Sequence, residues 1–264
     1  MPGLRDLTEV IRSIGKSAVA FSGGVDSSLV ALASMKAFDG DTVGIMIENP
    51  TIPSADIESA GKVAKALGME LVIIRADVMT DPIFRGNPPD RCGICRKIAM
   101  PMVIEEAKKR GYTRVVDGAN KDDLRDHRPG HEVSTDLGIR HPLIETGLGK
   151  IEIRSILKEE GMEVHVRPSS PCLATRIPHG EEINAEKLRL IDRVEEGIRN
   201  LGFFDVRARL HESASGRYLL ILEVGDPEKA LERWDSIIDI VGDVKIYLDP
   251  KGYRQGSLNE VSGP

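Results

Sequence analysis

A strand, a tight glycine turn and a helix follow one another in the stretch SAVAFSGGVDSSLVALASMKAF, residues 17–38. The apolar run 17–21 is typical of a buried strand, and Gly23 and Gly24 interrupt it. A helical pattern begins directly after the two glycines. A strand that turns at once into a helix of this length predicts half of a strand–helix–strand unit, which belongs to a parallel sheet.

The same alternation of short apolar strands and helical patterns continues through the first half of the chain. Predicted strands cover 17–21, 42–48, 70–76 and 114–119, and predicted helices cover 4–14, 25–38, 55–68 and 96–111. Strands that alternate with helices in this way predict a doubly wound α/β fold, a parallel sheet with helices on both faces.

The pattern changes in a Pro- and Gly-rich stretch at residues 161–182. After it, the sequence predicts a helix, two hairpin-linked strands, a second helix over 226–242 and a last strand, which favours a mixed or antiparallel sheet. We therefore predict a doubly wound domain over residues 1–165 and a smaller α+β domain over 166–264. The boundary loop, 165–182, carries Cys172.

Charge and cysteine content narrow the classes of function. The net charge is −6 at pH 7, whereas a protein that holds nucleic acid by charge needs a basic face, so a nucleic-acid partner is not expected. No apolar run approaches the roughly 20 residues of a membrane span, and no signal-peptide core is recognised, so we expect a cytoplasmic protein without a membrane partner. The 3 cysteines are odd in number and suit chemistry better than a disulfide framework.

The turn after the first strand has the composition of a phosphate-binding loop. Glycines let the backbone approach a ligand, and the free N–H groups and dipole at a helix N-terminus attract an anion. The carboxylate of Asp26 can ligate Mg²⁺ bound to a phosphate. The stretch lacks the Lys of a Walker A loop and the glycine spacing of a dinucleotide site. The residues predicted to bind ATP are Ser22, Gly23, Gly24, Val25, Asp26, Ser27 and Ser28.

The motif S-G-G-V-D-S resembles the signature of the PP-loop ATP pyrophosphatases, which cleave ATP between the α and β phosphates to adenylate a substrate. Further segments resemble the ATP-dependent sacrificial sulfur transferase (LarE) family, so that the resemblance covers nearly the whole chain. These segments are RCGICRK at 91–97, DGANKDDLRDHRPG at 117–130, SPCLATRIPHG at 170–180 and YLDPKGYRQGSLNE at 247–260.

The resemblance to the LarE family implies a reaction. ATP and Mg²⁺ would adenylate a carboxylate of pyridinium-3,5-biscarboxylic acid mononucleotide, which sulfur then converts to a thiocarboxylate. That family acts in biosynthesis of the nickel-pincer nucleotide cofactor of lactate racemase. From the resemblance we also expect a sulfide donor as partner and a homo-oligomeric protein.

Cys172 matches the sacrificial cysteine of this family, in P-C-L-A-T-R-I. In the sacrificial route the cysteine attacks the acyl adenylate, and the thioester loses its sulfur by elimination and leaves dehydroalanine. In a second route, known from a subgroup of the family, Cys92, Cys95 and Cys172 would hold three irons of a [4Fe–4S] cluster that carries an extra sulfide. The C-x-x-C also suits a zinc site completed by His, a redox pair or buried unreactive thiols.

Two arginines on the first predicted strand of the second domain are predicted to bind the substrate's phosphate. In FFDVRARLH, alternation puts Arg207 and Arg209 on one strand face, which suits bidentate phosphate binding. A solvated strand face is the alternative, and the family resemblance favours the phosphate.

Three further residues are predicted to line the substrate pocket by resemblance to the family. Arg176 is expected to steady the phosphate or to activate the thiol of Cys172. Glu195 and Asp226 match acidic positions of the family's pocket. Each can equally be a surface carboxylate, and Asp226 can be a helix N-cap.

Asp122 and Asp123 follow the end of a predicted strand, where parallel sheets bind ligands. Of the two, Asp123 is the predicted ligand of Mg²⁺ or of the acceptor, and simple capping of a helix start is the alternative. The three histidines that follow have no metal-ligand spacing and are interpreted as ordinary polar or core residues; they are His127, His131 and His141.

Other PP-loop reactions stay open at this point. A tRNA thiolase would carry an RNA-binding module or further C-x-x-C pairs, and this acidic chain has neither. An ammonia-dependent synthetase would keep the phosphate loop and would need no cysteine cluster. A nucleotide-sensing module would release no AMP or pyrophosphate.

Overall fold

The computed structural model describes residues 2–125, 129–213 and 215–254. The chain divides into two compact units. Unit 1 comprises Met1–Val78 and Asp90–Ser170, and unit 2 comprises Met79–Pro89 and Pro171–Pro264.

The helices are numbered in chain order. They are α1 (Leu4–Ile14), α2 (Val25–Ala37), α3 (Ser54–Leu67), α4 (Pro82–Arg85), α5 (Arg91–Lys109), α6 (Pro129–Asp136), α7 (Pro142–Thr146), α8 (Lys150–Glu159), α9 (Ala185–Asn200), α10 (Pro227–Glu232) and α11 (Trp234–Val241). Short 3₁₀ turns lie between them at Val78–Thr80, Lys121–Arg125, Glu163–Val166 and Leu173–Arg176.

Unit 1 contains a parallel sheet with the strand order β3-β2-β1-β4. Its strands are β1 (Ser17–Ala20), β2 (Val43–Glu48), β3 (Glu70–Arg75) and β4 (Arg114–Val116). In register, Val19 of β1 lies opposite Gly44 of β2 on one side and Val116 of β4 on the other. The strand order reverses between β1 and β4, and ligands of such sheets bind beyond the carboxyl ends of the strands at that point.

Helices cover both faces of this sheet, as the alternation of patterns predicts. Leu7, Leu29 and Ile153 come from α1, α2 and α8 and pack with Val19 in one apolar cluster. On the other face, Val103 of α5 packs with other apolar residues, among them Ala18, Val43 and Ile45. Neighbouring strand residues point to opposite faces, so Ala18 and Val19 enter different clusters. The predicted doubly wound α/β fold is confirmed.

Four helices of unit 1 differ from the prediction. The helix predicted over 96–111 begins at Arg91, so both cysteines of the C-x-x-C lie inside α5. The polar and small residues of RCGICRK hide the helical period there. Helices α6, α7 and α8 are absent from the prediction, although Ile153, Ile156 and Leu157 of α8 are buried at helical spacing.

Unit 2 contains a mixed sheet with the order β5-β6-β7. Its strands are β5 (Arg207–Glu212), β6 (Tyr218–Glu223) and β7 (Lys245–Leu248), with β5 antiparallel and β7 parallel to β6. The single helix predicted over 226–242 is two helices, α10 and α11, which meet at Arg233. The mixed sheet and its helices confirm the predicted α+β character of this part of the chain.

The segment 79–89 lies in unit 2, although the sequence pattern gives no sign of it. The side-chain amide of Asn87 donates to the carbonyl oxygens of Ile177 at 3.1 Å and Pro178 at 2.7 Å. The N–H of Gly180 donates back to the Asn87 carbonyl at 3.0 Å. Asn87 is fully buried and has a left-handed backbone, φ 53°, which Asn tolerates better than most residues. These bonds attach the segment to the chain that follows Cys172.

Candidate functional site

The predicted ATP loop lies between β1 and α2, at the carboxyl edge of the sheet where the strand order reverses. Gly23 has φ 68°, and a Cβ atom there would lie 2.5 Å from the backbone of Ala60 in α3. Gly24 is the extended N-cap residue of α2 and has no side-chain cap. The loop therefore requires glycine at Gly23 and leaves the first N–H groups of α2 for a ligand.

The three serines of the loop have different surroundings. Ser27 and Ser28 are buried, and their hydroxyls donate to the Gly24 carbonyl at 3.2 and 2.7 Å. Ser22 is exposed, and its hydroxyl lies 3.0 Å from that of Ser27. Ser27 and Ser28 thus hold the shape of the loop, and Ser22 lies at its exposed edge, where its hydroxyl also accepts the Gly24 N–H at 3.4 Å.

Asp26 lies in the first turn of α2, close to charges of both signs. The Asn120 amide donates to its carboxylate at 3.1 Å. Burial raises the pKa of Asp26 above the usual aspartate value, and the Asp123 carboxylate raises it further. The Asn120 hydrogen bond and the charges of Lys150 and Arg154 oppose this rise and do not cancel it. A partly buried carboxylate with a raised pKa is stabilised in its ionised form by a bound cation.

The segment after β4 packs directly on the ATP loop. A Cβ atom on Gly118 would lie 2.7 Å from the backbone nitrogen of Ser27, so the two loops require glycine at their contact. Asp123 accepts the Asn120 N–H at 3.1 Å, and Asp122 accepts the N–H of Lys150, the first residue of α8, at 2.8 Å. The predicted magnesium ligand Asp123 thus has a turn-capping bond as well as its influence on Asp26.

Sequence reasoning missed Arg167, which braces the ATP loop. Its guanidinium donates to the Gly23 carbonyl at 3.0 Å and to the Asp56 carboxylate at 2.6 Å. The Ser59 hydroxyl donates to the same Gly23 carbonyl at 3.0 Å. Arg154 in turn holds the carbonyl of Arg167 at 2.8 Å. The only sequence sign of this brace is an arginine in the predicted boundary loop, 165–182.

The C-x-x-C lies in the first two turns of α5. Cys92 is exposed and Cys95 is partly buried, and residues three apart on a helix lie on the same side. The predicted placement of both thiols on one turn is therefore confirmed. Within the described ranges, no group of three or more His, Cys, Asp or Glu side chains is brought together to hold a metal. Cys172 belongs to unit 2.

A buried Asp117–His141 pair lies just after β4 and connects to α5. Asp117 and the His141 ring are 2.7 Å apart, and Arg96 of α5 donates to Asp117 at 3.2 Å. Burial alone would raise the pKa of Asp117, but the His141 hydrogen bond and the charges of His141 and Arg96 outweigh burial and lower it. His141 is thus a core histidine, as predicted. His131 lies beside it, with ring centres 4.3 Å apart, and His127 lies outside the described residues.

Cys172 lies at the start of the 3₁₀ turn Leu173–Arg176 in unit 2. Arg176 has a fully buried side chain, with 0% exposure, and forms two hydrogen bonds of 2.7 and 2.8 Å to the carboxylate of Glu195, which is equally buried. The remaining guanidinium nitrogen donates to the carbonyl oxygens of Pro171 at 2.7 Å and Cys172 at 3.2 Å. The structure therefore places Arg176 against the Cys172 backbone.

Glu195 is a central acceptor of unit 2, so the surface interpretation of this residue is wrong. Besides Arg176 it accepts from Arg199 at 2.6 Å and from the Ala208 N–H at 3.0 Å. Burial raises the pKa of Glu195, but the bonds and charges of Arg176 and Arg199 outweigh burial and lower it. The carboxylate is therefore held ionised in the interior of the unit.

Both strand arginines of β5 are buried, so the solvated-face interpretation is wrong as well. Arg209 donates to the Glu223 carboxylate at 3.0 Å and to the Thr175 carbonyl at 2.9 Å. Arg207 lies over the Tyr253 ring, 4.8 Å from its centre, and burial and the nearby charge of Arg176 lower its pKa. Asp226 is exposed and is the N-cap of α10, where it accepts the Lys229 N–H at 3.0 Å.

No helix in the ranges that the structure describes is both long and apolar enough to cross a bilayer.

Comparison with known proteins places these features in a family. The family model for NAD synthase matches residues 5–85, which include the ATP loop. The chain is 31% identical to the uncharacterised protein slr1717 of Synechocystis, over 98% of this chain and 97% of that one. It is 31% identical to the uncharacterised protein MJ0830 of Methanocaldococcus jannaschii, over 84% of this chain and 83% of that one.

A further relative has a named reaction. The pyridinium-3,5-bisthiocarboxylic acid mononucleotide synthase of Lactiplantibacillus plantarum is 26% identical to this chain, over 97% of this chain and 93% of that enzyme. Near full-length coverage, the ATP loop at the sheet edge and the position of Cys172 lead to one conclusion. The chain belongs to the LarE family of the PP-loop ATP pyrophosphatase superfamily.

Proposed function

We propose that this protein is an ATP-dependent sulfur transferase of nickel-pincer cofactor biosynthesis. It adenylates a carboxylate of pyridinium-3,5-biscarboxylic acid mononucleotide and converts it to a thiocarboxylate. The proposed use of ATP rests on the glycine loop at the switch point of the sheet, with the partly buried Asp26 in the first turn of the helix that follows. The substrate half is supported by the named reaction of the Lactiplantibacillus relative.

In the adenylation step the ATP loop receives the phosphates of ATP. The first N–H groups of α2 and the hydroxyl of the exposed Ser22 would bind the phosphates, and Lys150 and Arg154 add positive charge near Asp26. Mg²⁺ fits here because it usually takes one or two carboxylates and completes its shell with waters and phosphates. Asp26 and Asp123 would hold it, and the ion would neutralise the phosphate charge that develops as pyrophosphate leaves.

In the sulfur step the sacrificial route uses Cys172 alone. Its thiolate attacks the acyl adenylate, the acyl–oxygen bond breaks, and AMP leaves with that electron pair. A proton then leaves the Cα of Cys172, the Cβ–sulfur bond breaks, and the thiocarboxylate leaves with the sulfur. The protein retains dehydroalanine at position 172, so each chain acts once.

A [4Fe–4S] cluster is the second route that we propose for the sulfur step. Cys92 and Cys95, three residues apart in the first turns of α5, fit two of its ligands, and Cys172 is the proposed third. When bound, such a cluster would supply an exchangeable sulfide from an external sulfide donor. The chain would then keep its own cysteine and act repeatedly in the reducing cytoplasm.

The phosphate of the substrate mononucleotide is assigned to Arg207 and Arg209. Both lie on β5 with 3% and 7% exposure, and a phosphate offers bidentate acceptors to guanidinium groups. The contact of Arg209 with the Thr175 carbonyl supports this assignment, because it brings that guanidinium close to the Cys172 loop. Asp226 is proposed to contact the substrate from the start of α10.

One experiment tests the function and separates the two routes. Protein purified anaerobically is analysed for iron and sulfide, and then incubated with ATP, Mg²⁺ and pyridinium-3,5-biscarboxylic acid mononucleotide. We expect AMP, pyrophosphate and thiocarboxylate in equal amounts. Absence of AMP with this substrate would overturn the proposed function.

The iron content and the protein mass then identify the route. About four irons per chain, lost in Cys92→Ala, and many turnovers with added sulfide indicate the cluster. A single turnover with loss of the mass of H₂S at Cys172, unchanged in Cys92→Ala, indicates the sacrificial route.

A further inference from the structure

The carbonyl oxygen of Cys172 receives an unusual set of hydrogen bonds. The backbone N–H of Thr175 donates to it at 2.9 Å and the hydroxyl of the same residue at 2.7 Å. The Arg176 guanidinium donates to it at 3.2 Å. Three donors, one of them cationic, thus converge on a single peptide oxygen.

The donors are fixed in place by the surrounding chain. The same nitrogen of Arg176 shares its two hydrogens among the Pro171 and Cys172 carbonyls and the Thr175 hydroxyl, which lies 2.9 Å away. The Thr175 hydroxyl thus accepts from the guanidinium while it donates to the Cys172 oxygen. The Glu195 carboxylate holds the other side of the guanidinium through two hydrogen bonds. Linked bonds of this kind polarise one another, and the low-dielectric interior strengthens them.

We propose that Thr175 and Arg176 are catalytic residues that form an oxyanion hole for the elimination of sulfur from acylated Cys172. The inference rests on the sacrificial route of the proposed function. Loss of the Cα proton gives an enolate whose negative charge resides on the Cys172 carbonyl oxygen, the atom that the three donors contact. Donors aimed at an atom where charge develops stabilise the transition state without reorganisation.

The elimination of sulfur from acylated Cys172 needs only the protein and solvent. A solvent water or hydroxide accepts the Cα proton, since Cys172 is only partly buried. The electron pair of the Cα–H bond becomes the Cα–Cβ double bond of dehydroalanine, and the pair of the Cβ–sulfur bond leaves with the thiocarboxylate. No oxidant or reductant is required. Acylation of Cys172 needs no charge on its own carbonyl oxygen, so the hole acts only in the elimination.

The test compares threonine variants in a single-turnover reaction with ATP and pyridinium-3,5-biscarboxylic acid mononucleotide. Intact-protein mass spectrometry follows the acyl-Cys172 adduct and its conversion to dehydroalanine. In Thr175→Val we expect conversion to slow by roughly 10- to 100-fold, so that the adduct accumulates. Thr175→Ser keeps the hydroxyl and should convert within a few-fold of wild type.

Thr8→Val is the matched control, because Thr8 also donates its hydroxyl to a backbone carbonyl, that of Leu4 at 2.8 Å, in α1. Its conversion rate should equal that of wild type. Thr175→Ala removes the hydroxyl without setting a methyl group against the carbonyl, and thermal unfolding of both variants shows whether the fold is kept. Release of AMP is followed in parallel, so that a loss of adenylation is distinguished from a slower elimination.

The outcomes separate the inference from the function on which it rests. Wild-type conversion rates in Thr175→Val and Thr175→Ala, with the adduct formed, would overturn the oxyanion hole and leave the sulfur transferase intact. Thiocarboxylate formed by wild type without any dehydroalanine would also overturn it, because no elimination would occur. Wild type that releases no AMP would overturn the proposed function itself.

Discussion

The ATP loop of unit 1 and the Cys172 loop of unit 2 are fixed by opposite means. Backbone contacts that only glycine allows shape the ATP loop. Its carboxylate, Asp26, is partly buried and has a raised pKa, because the hydrogen bond from Asn120 and the charges of Lys150 and Arg154 do not cancel the effect of burial. The Cys172 loop is held by the buried ion pair of Arg176 and Glu195. The positive charges of Arg176 and Arg199 more than offset the burial of Glu195, so the pKa of Glu195 is lowered.

The opposite pKa shifts of Asp26 and Glu195 indicate different functional requirements of the ATP loop and the Cys172 loop. An uncompensated buried charge costs stability in the free protein and is relieved when a ligand of opposite charge binds. A compensated pair keeps its geometry without any ligand and can hold reacting backbone atoms in position. The ATP loop therefore has the properties of a binding site, and the Cys172 loop those of a preorganised reaction centre.

Glu195→Gln should give the largest loss of stability, because it breaks the compensated pair. It leaves Arg176 buried with a neutral partner, and removal of one partner of a buried pair costs about 3–5 kcal/mol. Urea unfolding followed by far-UV circular dichroism measures the loss. Glu186→Gln, an exposed residue on the same helix, is the matched control and should change stability by less than about 1 kcal/mol. Equally small losses of unfolding free energy in the two variants would show that the Arg176–Glu195 pair does not stabilise the fold.

Gly23→Ala should give the next largest effect, in the loop that backbone contacts shape. The new Cβ atom would meet the Ala60 backbone at 2.5 Å and force a left-handed alanine, at a cost of about 2–4 kcal/mol. Gly68 is the matched control, because its φ of 63° is close to that of Gly23 and an added Cβ atom would have no atom within 4 Å. Gly68→Ala therefore measures the cost of a left-handed alanine alone, roughly 1 kcal/mol.

Thermal unfolding and ATP-dependent pyrophosphate release compare the two glycine variants. We expect Gly68→Ala to retain pyrophosphate release and Gly23→Ala to lose it. Equal destabilisation of both would show that the contact with Ala60 does not shape the loop.

Much of the fold could be predicted from the sequence because it depends on local patterns. The apolar runs and helical periods of unit 1 located the strands β1 to β3 to within a residue at each end. The patterns could not locate segment 79–89, since its attachment to the second unit depends on Asn87 and carbonyls about 90 residues away. The start of α5 was missed because Cys and Gly obscure its period.

The site was predictable to the extent that motifs carry it. The ATP loop, the C-x-x-C and Cys172 are contiguous motifs, and each was recognised from its residues. Arg167 was missed because its partners, Gly23 and Asp56, are far away in sequence and its own neighbours form no motif. Burial of Arg176 and Glu195 was equally hidden, since charged residues in a sequence are expected at the surface unless their partners are known.

Asp26→Asn should give the smallest change in stability of the variants. Unlike Glu195→Gln and Gly23→Ala, it should stabilise the protein. The raised pKa of Asp26 means that its charge is unfavourable in the folded state, so a neutral isostere should stabilise the free protein by about 0.5–1 kcal/mol at pH 7. Asn keeps an oxygen that can accept the Asn120 hydrogen bond. Pyrophosphate release should fall at least about 100-fold, because the variant lacks the charge that we propose to hold Mg²⁺.

The pH dependence of the stabilisation by Asp26→Asn tests whether it comes from removal of the Asp26 charge. Because the folded pKa lies above the ordinary value of 3.8, wild type takes up a proton at Asp26 on acidification and loses the unfavourable charge. The stability difference between Asp26→Asn and wild type should therefore be largest at neutral pH and shrink as the pH falls through the folded pKa. Thermal unfolding from pH 7 to pH 4 measures this difference, and Asp39→Asn, at an exposed position, is the matched control. A difference that stays constant or grows on acidification would show that Asp26 is compensated like Glu195, and the contrast between the two loops would then be lost.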